Sequence, residues 1–415
     1  MKLLLKNIGQ LATFEGVAAK HGKQMSDVKL TDDCCILVED GVVADIFPQR
    51  LLPLYKGQGA KEIDCDGGLV TAGYVDCHTH AVFAGDRAQE FNMRLNGATY
   101  MQIMNSGGGI INTVTATRNA DFDQLYRLTK ARVDTALTYG VTTMEIKSGY
   151  GLDFSTEKKQ LQVVEKLNEN HPVDLVATYM GAHATPKGYD TDKYVDMIVK
   201  DILPQIKKDT KAEFCDCFCE KGVFDVRQCR KILQRAKETG LKTKVHADEI
   251  ESIGGVDLAC EMGATSTEHL LKITDDGISK LAQSNTVGVI LPATAFSLKE
   301  PQAPARKMID GGCAVAVATD FNPGSCNCQS IPLVISLACI YCKMTIAETL
   351  CALTLNAAAA IDRADSVGTV EKGKKADLIV HTVKNLDQLC YDIAAQTCKT
   401  VVKNGKIVYT KQTIK

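Results

Sequence analysis

Ala72-Gly73-Tyr74-Val75-Asp76-Cys77-His78-Thr79-His80-Ala81-Val82-Phe83-Ala84-Gly85-Asp86-Arg87 reads as an apolar strand that ends in His-Thr-His and passes into a polar turn carrying an arginine. Alternate residues of a strand point to the same side, so His78 and His80 present two imidazoles to one point. Two neutral nitrogens converging at a strand end are a starting point for a divalent-metal site. Taken alone, the pair reads equally well as two hydrogen-bonded histidines on an exposed strand end. The rest of the chain has to separate these readings.

Strand-like runs recur downstream of 69–80 at 141–147, 174–183, 213–220, 243–248, 264–269, 286–291 and 314–320. Stretches of helical period lie between most of them, at 123–139, 156–170, 190–207 and 226–240. Eight strands with intervening helices describe a parallel (β/α)8 TIM barrel more economically than an open sheet. Further helices at 331–342 and 345–359 follow the last strand. Residues 1 to about 70 instead alternate short β-like runs with turns, among them Glu39-Asp40-Gly41, a hairpin signal. The tail behaves alike, with a second hairpin turn at Asn404-Gly405. The expected architecture is therefore α/β: a barrel over 69–362 and a small β-sandwich built from both termini, 1–68 and 363–415.

Barrel enzymes carry their chemistry at the C-terminal ends of the strands, so the residues there should form a coherent set. His78 and His80 end the first strand, His183 the third, His246-Ala247-Asp248-Glu249 the fifth, His269 the sixth and Asp320 the eighth. Five of the eight histidines in the chain thus gather at one rim. Three histidines and one carboxylate suit one Zn²⁺ or Fe²⁺ with a position left for water, and His78, His80, His246 and Asp320 are the assigned ligands. Such an ion lowers the pKa of its water to about 7; Asp320 could bind through one oxygen and take the water proton with the other. Glu249 can share the direction of His246 only if the chain bends there, and would then serve proton transfer. His269 could stabilise a developing oxyanion.

Other residues look shaped for substrate. Arg87 follows the metal strand, and its planar fork matches a carboxylate. Lys147-Ser148-Gly149-Tyr150-Gly151 ends the second strand in a turn carrying a phenol. Asn322-Pro323-Gly324-Ser325 offers backbone N–H groups and hydroxyls beyond the eighth. Gly107-Gly108-Gly109 lacks the lysine and the strand–helix context of a phosphate-binding loop and reads as a close-packed or mobile loop over the pocket.

Composition narrows the function classes. Of 415 residues, 45% are hydrophobic and 24% charged, and 48 basic against 50 acidic side chains give a net charge of −2. Nothing here calls for nucleic acid or an anionic membrane. The short apolar run at the N-terminus does not make a signal peptide, and no apolar stretch approaches the ~18 residues of a membrane span, so the cytoplasm is the expected location. The 17 cysteines read as reduced, mostly buried thiols. Cys215, Cys217 and Cys219 could line one strand face as a soft-metal site, but no Cys-x-x-Cys pair accompanies them, and apolar filling is the preferred reading.

The strand-end set resembles the metal-dependent amidohydrolase superfamily: His-x-His on the first strand, His-x-x-Glu on the fifth, histidine on the sixth and aspartate on the eighth. The longer strings 76–87, 145–151, 181–186, 246–249 and 319–324 are similar to one branch of it. That resemblance implies hydrolysis of 4-imidazolone-5-propanoate to N-formimidoyl-L-glutamate, in histidine degradation, by a metal-bound hydroxide. It implies one zinc or iron ion per subunit and a homodimer. It also implies substrate contacts at Arg87, Tyr150, His183 and Glu249, with Asn322, Gly324 and Ser325 on the product side. The strand 213–220 carries no lysine for the carbamate bridge of two-metal relatives, which favours a single ion. Ala72 and Cys77 stand where that branch usually has proline. The competing readings are a deaminase of a guanine- or cytosine-like ring and a non-catalytic scaffold on the same fold.

Overall fold

The computed structural model describes residues 2–55, 59–98, 102 and 108–412. Five strands come first: β1 (Lys2–Thr13), β2 (Lys29–Glu39), β3 (Val42–Pro48), β4 (Lys61–Asp64) and β5 (Leu69–Ala72). Eight more follow: β6 (Tyr74–Asp76), β7 (Val141–Lys147), β8 (Asp174–Ala182), β9 (Phe214–Cys219), β10 (Lys242–Ala247), β11 (Ser266–His269), β12 (Val287–Ile290) and β13 (Val315–Val317). The last three are β14 (Leu378–His381), β15 (Cys398–Lys403) and β16 (Lys406–Thr410).

Strands β6 to β13 pair in sequence order, each parallel to the next. Helices such as Phe122–Thr138, Phe154–Asn170 and Val226–Glu238 return the chain between them. Each of these three starts on an aspartate (Asp121, Asp153, Asp225) whose side chain accepts an N–H of the first turn, the usual capping chemistry. Every residue of β7 is buried, as a strand covered on both faces requires. This is the (β/α)8 barrel expected from the alternation. The first and last strands meet only past their ends, through a parallel bridge between Thr79 and Phe321.

The remaining strands form one mixed sheet in the order β16-β15-β14-β5-β1-β2-β3, with β4 also on β1. Both termini contribute to it. The hairpin turns at Asp40-Gly41 and Asn404-Gly405 hold four residues at positive φ (49°, 87°, 47° and 72°), which is why Asp-Gly and Asn-Gly are suited to them. Leu3, Leu5, Ile8, Leu11 and Ile36 pack with Leu378, Val380 and Val402 in its apolar core.

One expectation needs correction: 69–80 is not one strand. β5 pairs with β1 and β14 in the small sheet, and only Tyr74–Asp76 enters the barrel. Gly73 marks the crossing. Its N–H reaches Asp377 O at 2.8 Å, and a Cβ there would lie 2.3 Å from Thr142 Oγ1, so no larger residue fits. A buried lysine ties the sheet to the barrel: Lys403 Nζ lies 2.6 Å from Asp377 and 2.8 Å from Asp174, the first residue of β8.

All 17 cysteines are free thiols, and Cys215, Cys217 and Cys219 are fully buried. Among the described residues no metal-capable group includes them. No described helix is long and apolar enough to cross a membrane. Gly107 lies outside the described residues; Gly109 caps the helix Ile110–Asn119 at φ 87°.

Burial of His381 makes stability depend on pH. Its ring nitrogens lie 3.0 Å from Thr71 Oγ1 and 3.1 Å from Thr397 Oγ1, and burial pushes its pKa from 6.5 down to about 3. Below pH 6.5 the unfolded chain takes up a proton that the folded ring refuses, so this contribution is complete above that pH and is lost toward pH 3. Between pH 8 and pH 5 it amounts to about 2 kcal/mol. Denaturant unfolding of the wild type and His381→Gln should converge by that amount over this range. Parallel pH profiles would exclude the effect.

Candidate active site

Four side chains meet at the barrel's C-terminal rim. His78 Nε2 and His80 Nε2 lie 3.4 and 3.7 Å from the same oxygen, Asp320 Oδ1, and His246 Nε2 lies 3.4 Å from His80 Nε2. All four residues are buried. Burial drives the pKa of His78 and His80 well below 6.5, so both rings are neutral and able to act as ligands. For His246 burial acts in the same direction, but the Asp216 carboxylate outweighs it and holds the ring above the ordinary value. Burial lifts Asp320 to about 6, with the Thr294 hydroxyl opposing.

Both ring nitrogens of His78 lack a hydrogen-bond partner among the described residues. Such orphaned buried groups cost about 1–3 kcal/mol each. The facing Nε2 atoms of His80 and His246, 3.4 Å apart, also repel unless a cation or proton lies between them. The donor set therefore fits a divalent ion. His269 is near enough to His78 and His246 to form an alternative trio with them.

Backbone geometry aims these groups. Asp248, His269, Leu270 and Asp320 have φ of 55°, 77°, 64° and 50°, a conformation that is rare outside glycine and gathers at functional strand ends. At Asp248 it supplies the bend that Glu249 needs. Glu249 Oε2 then comes within 3.6 Å of His269 Nε2, while Glu220 accepts the N–H groups of Ile250 and Glu251 at 2.9 and 3.0 Å and fixes that loop. Burial, and then the charge of Asp320, raises Glu249 to about 8. His269 is driven well below 6.5 by burial. A protonated acid beside a neutral imidazole is the result.

Tyr150 and His183 belong to the same cluster: the His183 ring stacks on His80 at 5.0 Å, and Tyr150 lies 6.0 Å from His80 and 5.4 Å from His183. The glycine-rich turn that carries Tyr150 is not loose. Glu157 accepts the N–H groups of Gly149, Gly151 and Leu152 at 2.7–2.9 Å.

Three predicted residues sit differently from their expected roles. The second oxygen of Asp320 accepts the Thr294 hydroxyl at 2.7 Å instead of lying open to a water proton. Asn322 is spent on its own turn: Oδ1 accepts the N–H groups of Gly324 and Ser325 at 2.8 Å, and Nδ2 donates to Asp320 O and Ser325 Oγ. Arg87 is half-engaged, with Nη2 and Nε at 2.7 and 2.8 Å from Glu90 Oε2. Its other edge lies over Gly324, where a Cβ would come within 2.1 Å of Nη1.

Other partners went unread in the sequence. Glu145, Lys147, Asp216, Lys244 and Glu268 are fully buried beneath the histidines, their only signal being charge inside otherwise apolar strands. Glu90, Glu157 and Thr294 carried no signal of their own.

Residues 69–408 match the family model for the amidohydrolase family. The chain belongs to that family. It is 48% identical over 412 residues to the imidazolonepropionase of Clostridium tetani, covering 99% of this chain and 98% of that one. The imidazolonepropionase of Parabacteroides distasonis is 46% identical, with 98% of each chain covered. Within the family, then, its place is among the imidazolonepropionases. A zinc-bound adenosine deaminase from Xanthomonas campestris shares the fold, with a TM-score of 0.73 at 17% identity over 98% of this chain and 92% of its own.

Gly324→Ala tests the packing of Arg87. Gly324 is not at positive φ, so the added methyl meets only a guanidinium that Glu90 prevents from swinging freely. Stability should stay within about 0.5 kcal/mol, while KM for a carboxylate-bearing substrate rises at least roughly tenfold, equivalent to about 1.4 kcal/mol. An unchanged KM would show that the guanidinium has room to yield.

Proposed function

We propose that the chain hydrolyses the ring amide of 4-imidazolone-5-propanoate, giving N-formimidoyl-L-glutamate, with His78, His80, His246 and Asp320 holding one zinc or iron ion. The observation that carries the substrate side is Arg87, pinned against Gly324, four residues after the Asp320 carboxylate. A guanidinium there suits a propanoate; an uncharged aminated ring, the substrate of a deaminase, has no use for it. Among the imidazolonepropionases the match runs over nearly the full length of the chain, and this supports the same choice.

When bound, the ion supplies a Lewis acid and a water that ionises near neutral pH. The chain's own residues divide the remaining work. Arg87 binds the propanoate, and Tyr150 and His183 flank the imidazolone ring and orient it. Water adds to the ring carbonyl carbon, and the C–N bond of the ring amide breaks. His269, kept neutral by burial, donates a hydrogen bond to the carbonyl oxygen as charge builds there. Glu249, held protonated to about 8, delivers the proton that lets the ring nitrogen leave. Asp320, with one oxygen tied to Thr294, stays a ligand. The turn of Asn322, Gly324 and Ser325 faces the opened product.

The same reading carries a homodimer and a cytoplasmic location. Ile340, Tyr341, Tyr391 and Ile393 are all exposed, on or next to the helices Ile331–Ile340 and Gln388–Tyr391, which pack together; large exposed apolar groups of this kind suit a subunit contact.

Two experiments decide the proposal. Chelator-stripped protein should lose turnover and regain it with one equivalent of zinc or iron; full activity without metal would end it. Arg87→Ala should raise KM by the equivalent of ~2–4 kcal/mol, with a smaller change in kcat. Ammonia release from an aminated heterocycle, with an unchanged KM in the variant, would favour the deaminase instead.

A further inference from the structure

Beneath the four metal-holding side chains lies a second layer made almost wholly of charge. Lys147 Nζ is 2.7 Å from Glu145 Oε1 and 2.8 Å from Asp216 Oδ2. That same Asp216 oxygen is 2.9 Å from His246 Nδ1, and its partner oxygen accepts the His246 backbone N–H at 3.2 Å. Lys244 Nζ is 3.3 Å from Glu268 Oε1 and donates to Cys77 O at 3.0 Å. Glu268 Oε2 lies 3.7 Å from His246 Nδ1 and 3.9 Å from His78 Nδ1. All five side chains are inaccessible to solvent.

Packing does not call for them. Replacing a buried ion network by apolar residues of similar volume is often neutral or stabilising by about 1–4 kcal/mol. Two of the carboxylates are also directed: Asp216 and Glu268 each turn an oxygen toward the Nδ1 of an imidazole whose Nε2 faces the metal centre. Neither Glu268 Oε2 nor His78 Nδ1 has a hydrogen-bond partner among the described residues, so each is left to the ion-pair contacts of this layer. A negative group at Nδ1 keeps the proton on that nitrogen, leaves the Nε2 lone pair for the metal and makes it a better donor. Two ammoniums against three carboxylates leave this layer with one negative charge, which a cation above it offsets. The lysines stand where a second cation would otherwise be needed, since Asp216, His246 and Glu268 themselves form a metal-capable trio.

We propose that Lys147 and Lys244 are positioning residues, each acting through a carboxylate to aim an imidazole at the metal. The chain thus contains two lysine–carboxylate–histidine relays: Lys147–Asp216–His246, and Lys244–Glu268 shared between His78 and His246. The inference rests on the metal reading of the centre. It goes beyond that reading by assigning a function to residues that touch neither metal nor substrate.

Zinc affinity of the purified protein, measured by competition with a chromophoric chelator, supplies the test without recourse to turnover. Lys147→Met and Asp216→Asn should each weaken zinc binding roughly 10–100-fold. Combined, they should weaken it no more than the stronger single change, because one acts through the other. Far-UV circular dichroism and melting confirm that each variant is folded. Additive losses, or wild-type affinity in folded Lys147→Met, would overturn the relay. Should Lys147→Met fail to fold, the isosteric Asp216→Asn decides alone, and unchanged affinity there overturns the proposal. Wild-type protein that takes up neither zinc nor iron would instead overturn the metal reading, a separate and recognisable result.

Discussion

Between the first and last strands of the barrel, the hydrogen bonds are made by the catalytic centre itself. Asp320 N–H donates to His78 O at 3.1 Å, and His80 N–H donates to Phe321 O at 2.9 Å. One turn lower, Asp76 accepts the backbone N–H and the hydroxyl of Thr319 at 3.1 and 2.7 Å. Burial raises Asp76 to about 7, although Thr319 resists the shift. His78 and His80 on one side and Asp320 on the other are therefore held across one seam. Barrel closure sets their separation. Because β6 and β13 are only three residues long, the seam has few other hydrogen bonds to rely on, and the positive φ of Asp320 is tolerated because that closure over-determines it.

Beneath the seam, burial shapes the electrostatics of every group. His78, His80, His183 and His269 are kept neutral by desolvation. His246 alone is pulled the other way, by Asp216, and for Asp216 the burial that should raise its pKa is overcome by His246 and Lys147. Charge of one sign is met by charge of the other at each step inward, which is how so polar a layer can lie inside a barrel without losing its fold. The same logic separates two carboxylic acids at the rim. Asp320, with a hydroxyl donor and histidines around it, is raised to about 6; Glu249, with less support and a like charge nearby, is raised to about 8.

The sequence displayed the rim and concealed what supports it. Strand-end histidines are legible because few other roles bring five of them to the same register of an alternating pattern. Hairpins at Asp40-Gly41 and Asn404-Gly405 are legible because left-handed turns select those residues. Glu145, Lys147, Asp216, Lys244 and Glu268 are not, since a charged residue in a strand reads as facing water until its partner strands are known. Glu90 and Glu157 lie on helices, where an acid is unremarked. Resemblance places Asn322 on the product side; what the sequence does not show is that its side chain also builds the turn it stands in. The merging of β5 with β6 failed for a different reason. Apolar periodicity does not register that a chain has left one sheet for another, and Gly73 is the only mark of the crossing.

Under the proposed function, the charge around Arg87 accounts for the choice of a carboxylate-bearing substrate. Glu90, buried and fixed by the Gly109 N–H at 3.1 Å, takes one edge of the guanidinium and so neutralises much of it. Arg94, seven residues on along the same helical segment, donates to Gly324 O at 3.0 Å and brings a second positive charge to the same turn. Two guanidiniums against one carboxylate leave a single positive charge at this turn, and under the proposed function that balance suits one propanoate. Under the proposed function, selection of the substrate rests on this balance at the Gly324 turn, where Arg87 is set by Glu90 and Arg94 stands beside it.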